Sequence, residues 1–342
     1  MKKFIFRNLI IFFLVVSIYS CKEKKKEKPN ILFIFADDQA YNTIHALGNE
    51  EIQTPNLDNM VREGTCFTHA YNMGAWHGAV CVASRTMLVT GQYVWHARES
   101  EPHLDSLSNM NHLWSQMLQE QGYDTYFSGK WHVKIHPDSI FDYTRHIRPG
   151  MPGTVPEAYN RPVKGEEPQW QPWDKSVGGF WKGGKHWSEV LADDAEDFMQ
   201  QASADEDPFF MYLAFNAPHD PRQSPKKFVD MYPQEEIQVP ENYMPEYPYK
   251  EEIGCGENLR DERLAPFPRT EYAVRTHRSE YYAIISHMDR QIGRILKALE
   301  ESGKADNTYI FFTADHGLAC GNHGLMGKQN MYDHSMRAPL LV

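Results

Sequence analysis

Cysteine is scarce in this sequence, and basic residues are outnumbered by acidic ones. The 342 residues include five cysteines and carry a formal net charge of −11. No two cysteines stand in a Cys-x-x-Cys spacing, so nothing in the sequence suggests a zinc site of that type. The acidic balance argues against a general nucleic-acid binder. An anionic substrate would have to meet positive charge that is concentrated locally in one site.

Long hydrophobic runs are also few, and one lies at the N-terminus. Basic residues precede an apolar run from Leu9 to Ile18, which is too short to span a bilayer comfortably and has the layout of a signal peptide. A small residue directly before Cys21 resembles a bacterial lipobox. This predicts a lipoprotein signal peptide over residues 1–20, lipidation of Cys21 and a charged tether over residues 21–28. We therefore expect an exported bacterial protein in the periplasm or outer membrane, held by its lipid alone. The alternatives are an ordinary cleaved signal peptide and an uncleaved anchor.

Hydrophobic residues make up 41% of the chain and aromatic residues 13%, which is enough for a large core. Apolar runs rich in β-branched and aromatic residues predict buried strands, and apolar residues at helical spacing predict helices between them. The predicted strands cover residues 31–36, 65–71, 123–127, 209–215 and 308–313, and the predicted helices cover residues 54–64, 112–121, 188–199 and 279–302. Strands that alternate with helices predict an α/β fold with a mostly parallel sheet covered on both faces.

Two long stretches break this pattern. Residues 141–187 and 221–268 are rich in proline and lose periodicity, so we interpret the first as a functional or mobile loop and the second as a surface excursion. The tryptophans of the first stretch either stack on sugar rings or pack the loop. These tryptophans are Trp170, Trp173, Trp181 and Trp187.

Polar side chains recur just after the predicted strands. Because the carboxyl ends of parallel strands meet at one edge of a sheet, these groups are expected to converge on one site. Three of them are carboxylates that repel one another unless they are neutralised, which predicts a hard divalent cation, Ca²⁺ or Mg²⁺. A helix N-cap is the alternative role for one of the first two carboxylates. The polar groups are Asp37, Asp38, Lys130, His132, His219, Asp315 and His316.

The stretch from Cys81 to Gly91 reads CVASRTMLVTG and places a thiol four residues before Arg85, ahead of an apolar run that predicts a buried helix. A thiol at a helix N-terminus near a guanidinium is typical of a reactive cysteine. A half-buried structural cysteine is the alternative. The pattern C-x-[PA]-S-R followed by T-G resembles the signature of type I, formylglycine-dependent sulfatases, with Ala83 where proline is commoner.

This resemblance implies an alkaline-phosphatase-like α/β/α sandwich and a sulfuric ester hydrolase. In the family the cysteine is oxidised after translation to formylglycine, whose hydrate is the nucleophile. The resemblance therefore implies formylglycine at Cys81 and a formylglycine-generating maturation enzyme as a partner. It also implies calcium bound by an oxygen of the modified Cys81 together with Asp37, Asp38, Asp315 and His316. Many family members have asparagine at the position of His316.

Further family motifs follow in the same order along the chain, as GKWH, APHDP and HGLMGK. By resemblance, Arg85 braces the formylglycine and its metal, while Lys130 and His132 hold the formylglycine hydroxyls. His219 protonates the leaving alcohol, and Lys328 grips the sulfate. One hydroxyl then attacks sulfur, and the other later loses its proton to expel sulfate.

Two points stay open. His323, in the HGLMGK motif, either points at the site or has a structural role. With Cys21 and Cys81 modified, three cysteines remain and permit at most one disulfide among Cys66, Cys255 and Cys320.

The resemblance extends over roughly residues 28–342, and we assign residues 29–342 to the catalytic domain. Sulfatases usually continue after a strand such as the final RAPLLV into a smaller C-terminal subdomain. We expect that subdomain to be missing here, so the chain corresponds to the large N-terminal subdomain and is either a fragment or the product of a reading frame that ends early.

The exported setting favours sulfated sugars or glycans as substrates, with choline sulfate or aryl sulfates as the alternative. A phosphodiesterase or phosphonate monoester hydrolase of the same superfamily is a second interpretation. If Cys81 is never converted, a non-catalytic glycan-binding lipoprotein is the third.

Overall fold

The computed structural model describes residues 28–148, 150, 156–176, 178–180 and 184–342. The predicted signal peptide and Cys21 lie outside the described residues. Among the residues that are described, no helix is both long and apolar enough to cross a membrane.

The strands and helices alternate over most of the chain, as the sequence pattern predicts. The strands are β1 (Asn30–Ala36), β2 (Ala70–Tyr71), β3 (Asp124–Lys130), β4 (Tyr143–Arg148), β5 (Phe209–Ala214), β6 (Thr308–Ala314), β7 (Arg337–Ala338) and β8 (Leu340–Leu341). The helices are α1 (Pro55–Glu63), α2 (Val80–Thr90), α3 (Val94–Ser100), α4 (Leu104–Asn109), α5 (Trp114–Gln119), α6 (Trp187–Ser203), α7 (Lys226–Val229), α8 (Glu271–Glu301) and α9 (Asp333–Met336).

The main sheet has six strands in the order β4-β3-β5-β1-β6-β8. The five strands from β4 to β6 are parallel, and β8 runs antiparallel to β6. Strands β2 and β7 form a separate antiparallel pair. Because β3, β5, β1 and β6 are neighbours and parallel, the residues that follow them emerge side by side at one edge of the sheet.

Helices cover both faces of this sheet, and β1 shows why. Its side chains alternate, so Leu32 and Ile34 pack into a core formed with α1, α6 and α8. Phe33 and Phe35 pack on the other face with residues of α2 and α4. A strand buried on both faces needs a continuous apolar sequence, which is the pattern that β1 and β5 show. The result is an α/β/α sandwich.

Strand β4 corrects one prediction. It lies inside the stretch 141–187, which we interpreted as loop throughout. As the edge strand of the main sheet it pairs with β3 alone, and its polar sequence reflects a half-exposed position. An edge strand lacks the apolar run by which buried strands are recognised.

Three other predictions differ in extent. The predicted strand 65–71 forms regular pairing only at Ala70–Tyr71. Helix α8 begins eight residues earlier than predicted, where the Thr270 side chain accepts a hydrogen bond from Ala273 N as an N-cap. The stretch 221–268 is not a simple surface excursion, because Phe228, Tyr232 and other apolar side chains from it are buried against α8.

Candidate active site

Three carboxylates meet where β1 and β6 end. Asp37 and Asp38 directly follow β1, Asp315 directly follows β6, and all three are buried. Asp38 N donates to Asp315 Oδ1 at 3.0 Å, and Asp37 N donates to Ala217 O at 3.0 Å. Asp38 has a φ of 72°, a left-handed conformation that is uncommon for residues other than glycine. The backbone itself therefore turns these carboxylates toward one point.

Hydrogen bonds from Tyr281, Asn72 and Ser84 hold this turn, and of these residues only Ser84 belongs to a recognised motif. The hydroxyl of Tyr281, on α8, donates to Asp38 O at 2.5 Å and accepts from Ala40 N at 3.0 Å. The Asp315 carbonyl accepts from Asn72 Nδ2 at 2.7 Å and from Ser84 Oγ at 3.0 Å. No motif points to Tyr281 or Asn72, and Tyr281 lies among the apolar residues of the predicted helix 279–302.

Cys81 lies in the first turn of α2 and is 3% exposed. Its Sγ atom lies 3.3 Å from His316 Nε2, 3.5 Å from Lys328 Nζ and 3.7 Å from Asp38 Oδ1. The thiol predicted to be reactive thus lies in the middle of the polar cluster. Its neighbours are polar, which argues against the alternative of a structural cysteine.

Two cations join the carboxylates from the side of β3. Arg85, one turn after Cys81, donates from Nη1 to Lys130 O at 2.7 Å. Its other nitrogens lie 3.4 Å from Asp37 Oδ1 and 3.4 Å from Asp315 Oδ2. Lys130, the last residue of β3, forms an ion pair with Asp37 through Nζ.

Lys328 and His219 complete the cluster. Lys328 Nζ donates to both Asp38 oxygens, at 2.8 and 2.7 Å, and lies 3.0 Å from His219 Nε2. The other ring nitrogen of His219 donates to Asp220 O at 2.7 Å. His219 follows β5, so four adjacent parallel strands each deliver a polar residue to this site.

A profile of the sulfatase family matches residues 29–342. The chain belongs to the sulfatase family. The prediction of this family from the Cys81 motif is confirmed.

Individual relatives agree with this assignment. The chain is 30% identical over 349 residues to the arylsulfatase of Clostridium perfringens, covering 92% of this chain and 68% of that protein. It is 24% identical over 398 residues to the N-acetylglucosamine-6-O-sulfatase of Bacteroides thetaiotaomicron, covering 98% and 67%. The chain spans between 57% and 68% of the length of such curated relatives.

A solved structure confirms the predicted fold class. The phosphonate monoester hydrolase of Agrobacterium radiobacter superimposes with a TM-score of 0.66 at 19% identity, covering 92% of this chain and 68% of that one. At this identity the likeness concerns the fold, which is the predicted α/β/α sandwich.

The electrostatics of this sulfatase site are those of a buried, nearly balanced charge cluster. Burial alone would lower the pKa of Lys328, but the Asp38 carboxylate outweighs it and raises that pKa well above its usual range. Burial would likewise lower the pKa of His316, but Asp315 and Asp38 raise it to about 10. Burial first, and the Lys328 ammonium second, hold the pKa of His219 well below its usual range. At neutral pH His219 is therefore neutral beside the charged ammonium of Lys328.

The donor set suits a divalent cation. Asp38, Cys81, Asp315 and His316 each offer a ligand atom, and these atoms lie within 4.8 Å of one another. Asp37 and Asp38 form a second such group with His219. Clustered carboxylate oxygens are the ligands that hard divalent cations prefer, so the predicted metal residues fit a metal ion.

His132 lies within the influence of the Lys130 and Arg85 charges. It has a φ of 58°, and burial followed by the Lys130 charge lowers its pKa to about 4. Nδ1 of His132 and Nη1 of Arg148 are buried and have no hydrogen-bond partner among the residues that the structure describes. Arg148 ends β4, packs over Trp187 and donates to Gly178 O at 3.0 Å.

The remaining candidates lie outside the cluster. His323 contacts Asn242 at 3.0 Å and stacks on Tyr332 with 4.3 Å between ring centroids, which favours the structural role. Trp170 and Trp187 are buried beneath arginines and pack the loop, while Trp173 lies 5.2 Å from the amine of Lys226. Trp181 lies outside the described residues. The described cysteines are free thiols: Cys66, Cys81, Cys255 and Cys320.

Proposed function

We propose that this protein hydrolyses a sulfate ester on a sugar or glycan, with formylglycine made from Cys81 as the nucleophile. The observation that carries the proposal is the arrangement around Cys81, where a buried thiol touches His316, Lys328 and Asp38 in a member of the sulfatase family. The sugar substrate is supported by a relative named for N-acetylglucosamine 6-O-sulfate.

Calcium is the cation that we infer, with magnesium as the less favoured alternative. Asp37, Asp38, Asp315 and His316 would hold it together with an oxygen at position 81. When bound, it would supply positive charge that lowers the pKa of a hydroxyl and polarises a sulfate oxygen.

The chain's own cations would bind and orient the sulfate. Lys328 Nζ lies 3.5 Å from Cys81 Sγ, so an ester held for attack at position 81 also lies within reach of this ammonium. Lys130 and Arg85 bracket Asp37, and Arg85 also reaches Asp315. Fixed donors in a buried site stabilise the charge that develops on sulfuryl oxygens without reorganising.

His219 would protonate the leaving alcohol. Its Nδ1–H donates to Asp220 O, so Nε2 is the acceptor that faces Lys328. An anionic ester beside Lys328 partly cancels the positive charge that disfavours a protonated His219, so binding of substrate raises the pKa of the acid in the complex. The acid then carries its proton when the alcohol leaves.

Maturation and export belong to the same proposal. Oxidation of Cys81 requires a formylglycine-generating enzyme as a partner. The basic and apolar start of the chain supports export, with residues 1–20 removed and Cys21 lipidated at the periplasmic or outer membrane face. Acylation of Cys21 would be read from the mass of the mature N-terminal peptide.

The test is to express the protein with a formylglycine-generating enzyme and to measure conversion of the Cys81 peptide by mass spectrometry. The converted protein should release sulfate from sulfated monosaccharides, and Cys81→Ala should not. Nitrophenyl sulfate, choline sulfate and a phenyl phosphonate ester serve as competing substrates. Faster turnover of the phosphonate would favour the superfamily alternative. Binding of sulfated glycan without turnover by fully converted protein would contradict the proposal.

A further inference from the structure

Lys328 contacts Asp38, Cys81 and His219, yet it stands on irregular backbone. It follows β6 by fourteen residues, in the segment 317–332, which forms turns, bends and one isolated bridge but no helix. A side chain that must hold an ammonium between Asp38, Cys81 and His219 needs a fixed backbone. The contacts that fix it come from a distant part of the chain.

Glu262 binds the two peptide units just before Lys328. It lies in the short 3₁₀ turn Asp261–Leu264, within the proline-rich stretch, and its side chain is 0% exposed. Its two oxygens accept from Met326 N at 2.9 Å and from Gly327 N at 2.9 Å. Each carboxylate oxygen thus takes one of two consecutive backbone amides.

Arg269 donates hydrogen bonds both to Glu262 and to the loop that contains Lys328. Its Nη2 donates to Glu262 Oε2 at 2.6 Å and to Glu262 O at 2.7 Å, and its Nε donates to Gly324 O at 3.1 Å. This guanidinium is 0% exposed and neutralises the buried carboxylate. It therefore holds both Glu262 and the loop that Glu262 binds.

Asp261 binds the residue on the other side of Lys328. Its Oδ2 accepts from Gln329 Nε2 at 2.7 Å, and Gln329 Oε1 accepts from Lys328 N at 3.1 Å. A Cβ atom on Gly327 would lie 2.9 Å from Asp261 Cβ and 3.0 Å from Glu262 Oε1, so the two segments are in close contact. Glu262 thus holds the amides of Met326 and Gly327, and Asp261 holds the Gln329 side chain that accepts from the amide of Lys328.

We propose that Asp261 and Glu262 are positioning residues that set the place of the Lys328 ammonium for sulfate binding and transfer. The proposal rests on the function proposed above, because it assigns Lys328 to the sulfate. Glu262 touches neither substrate nor the thiol and acts through Lys328 alone. Misplacement of a catalytic group by 1 Å costs about 10²-fold in rate, which sets the effect expected from loosening this contact.

Glu262→Gln is the decisive variant, because an amide oxygen can accept one backbone N–H while the NH₂ group cannot accept the other. The matched control is Asp289→Asn. Asp289 is also buried and also accepts two consecutive backbone amides, from Asn56 and Leu57 at 3.2 and 2.8 Å, at the start of α1. Gln329→Ala is the milder second variant, since it cuts the link to Asp261 and leaves the buried ion pair in place.

The first measurement is kcat/KM on nitrophenyl sulfate. Each variant is made in two backgrounds, the otherwise unchanged enzyme first and Lys328→Ala second. Glu262→Gln should lower kcat/KM by about 10²-fold in the first background and by less than about threefold in the second, because the residue acts through Lys328. Gln329→Ala should lower kcat/KM by a smaller factor, and again only where Lys328 is present. Asp289→Asn should lower kcat/KM only slightly in both backgrounds. Equal factors for Glu262→Gln in both backgrounds would overturn the proposal.

The second measurement is hydrogen exchange of the peptide that contains residues 324–330, which does not depend on turnover. Glu262→Gln should speed exchange there, and Asp289→Asn should speed it only at residues 56–57. If exchange at residues 324–330 were unchanged in both Glu262→Gln and Gln329→Ala, Glu262 and Asp261 would not hold this segment, and the proposal would be refuted. If the parent protein released no sulfate, the proposed function would fail, and exchange would still decide whether this contact holds the loop.

Discussion

Gly129 is the residue whose replacement should do most harm to the site through the backbone. It precedes Lys130 in β3, has a φ of 101°, and pairs with Ala214 of β5. A Cβ atom at this position would lie 1.9 Å from Ala214 O, a backbone atom that cannot rotate away. We predict that Gly129→Ala destabilises the fold and displaces Lys130 from Asp37.

The size of the effect follows from two costs. A left-handed conformation costs a residue with a side chain about 1–2 kcal/mol. The Ala214 carbonyl must also retreat by about 1.5 Å to reach an ordinary van der Waals contact, and overpacking of this kind typically costs about 1–3 kcal/mol more. We therefore expect a loss of about 2–5 kcal/mol in the free energy of unfolding. A 1 Å shift at Lys130 lowers kcat/KM by about 10²-fold.

Gly122→Ala separates the two costs. Gly122 also has a positive φ, of 77°, but a Cβ atom there would meet nothing within 4 Å. It should lose only about 1–2 kcal/mol and keep its activity. Chemical denaturation and sulfate release are measured on both variants. If Gly129→Ala proved no less stable and no less active than Gly122→Ala, the contact with Ala214 would not constrain the sheet as argued.

Four further results are expected. His219→Ala should slow hydrolysis of a sugar sulfate more than that of nitrophenyl sulfate by a factor of about 10²–10⁴, since nitrophenol leaves almost unaided; equal losses would remove His219 from the acid role. A chelator should lower both the melting temperature and the activity, and added calcium should restore them; no change in either would contradict the cation assignment. The pKa of His132 is lowered to about 4 by burial and by Lys130, so the unfolded chain takes up a proton near pH 6.5 before the folded chain does. Stability should accordingly fall as pH drops from about 6.5 to 4, and His132→Gln should reduce that slope in urea titrations. Arg148→Met should cost no stability in thermal unfolding, because burial lowers the pKa of this guanidinium to about 9 and no carboxylate pairs with it among the described residues; a loss above about 2 kcal/mol would refute this.

The parts of the fold that could be predicted from the sequence are the strands that are buried on both faces of the sheet. Strands β1 and β5 are covered on both faces, so their sequences are apolar throughout and are easily recognised. Strand β4 lies at the edge and carries arginine and histidine, so nothing local separates it from loop. The Asp37-Asp38 pair was predictable as part of a site because parallel strands bring their ends together whatever lies between them.

The parts of the site that escaped prediction act through tertiary contacts. Tyr281 appears in sequence as one more residue on an apolar helix face, and its hydroxyl becomes informative only where α8 passes beneath Asp38. Glu262 lies in a stretch with no periodicity, far from any recognised motif. The role proposed for Glu262 depends on the hydrogen bonds that it accepts from Met326 N and Gly327 N. No local sequence pattern encodes these tertiary contacts.

The burial of Cys81 has a consequence for timing. The thiol is 3% exposed once it is packed against Lys328, a residue 247 positions later in the chain. At synthesis rates of about 5–20 residues per second, that separation gives roughly 10–50 s between the appearance of the cysteine and that of the lysine which closes over it. The formylglycine-generating enzyme proposed above would have this interval, plus the time of folding, in which to reach the Cys81 side chain. Slower synthesis or delayed folding should therefore raise the fraction of converted Cys81, and faster folding should lower it.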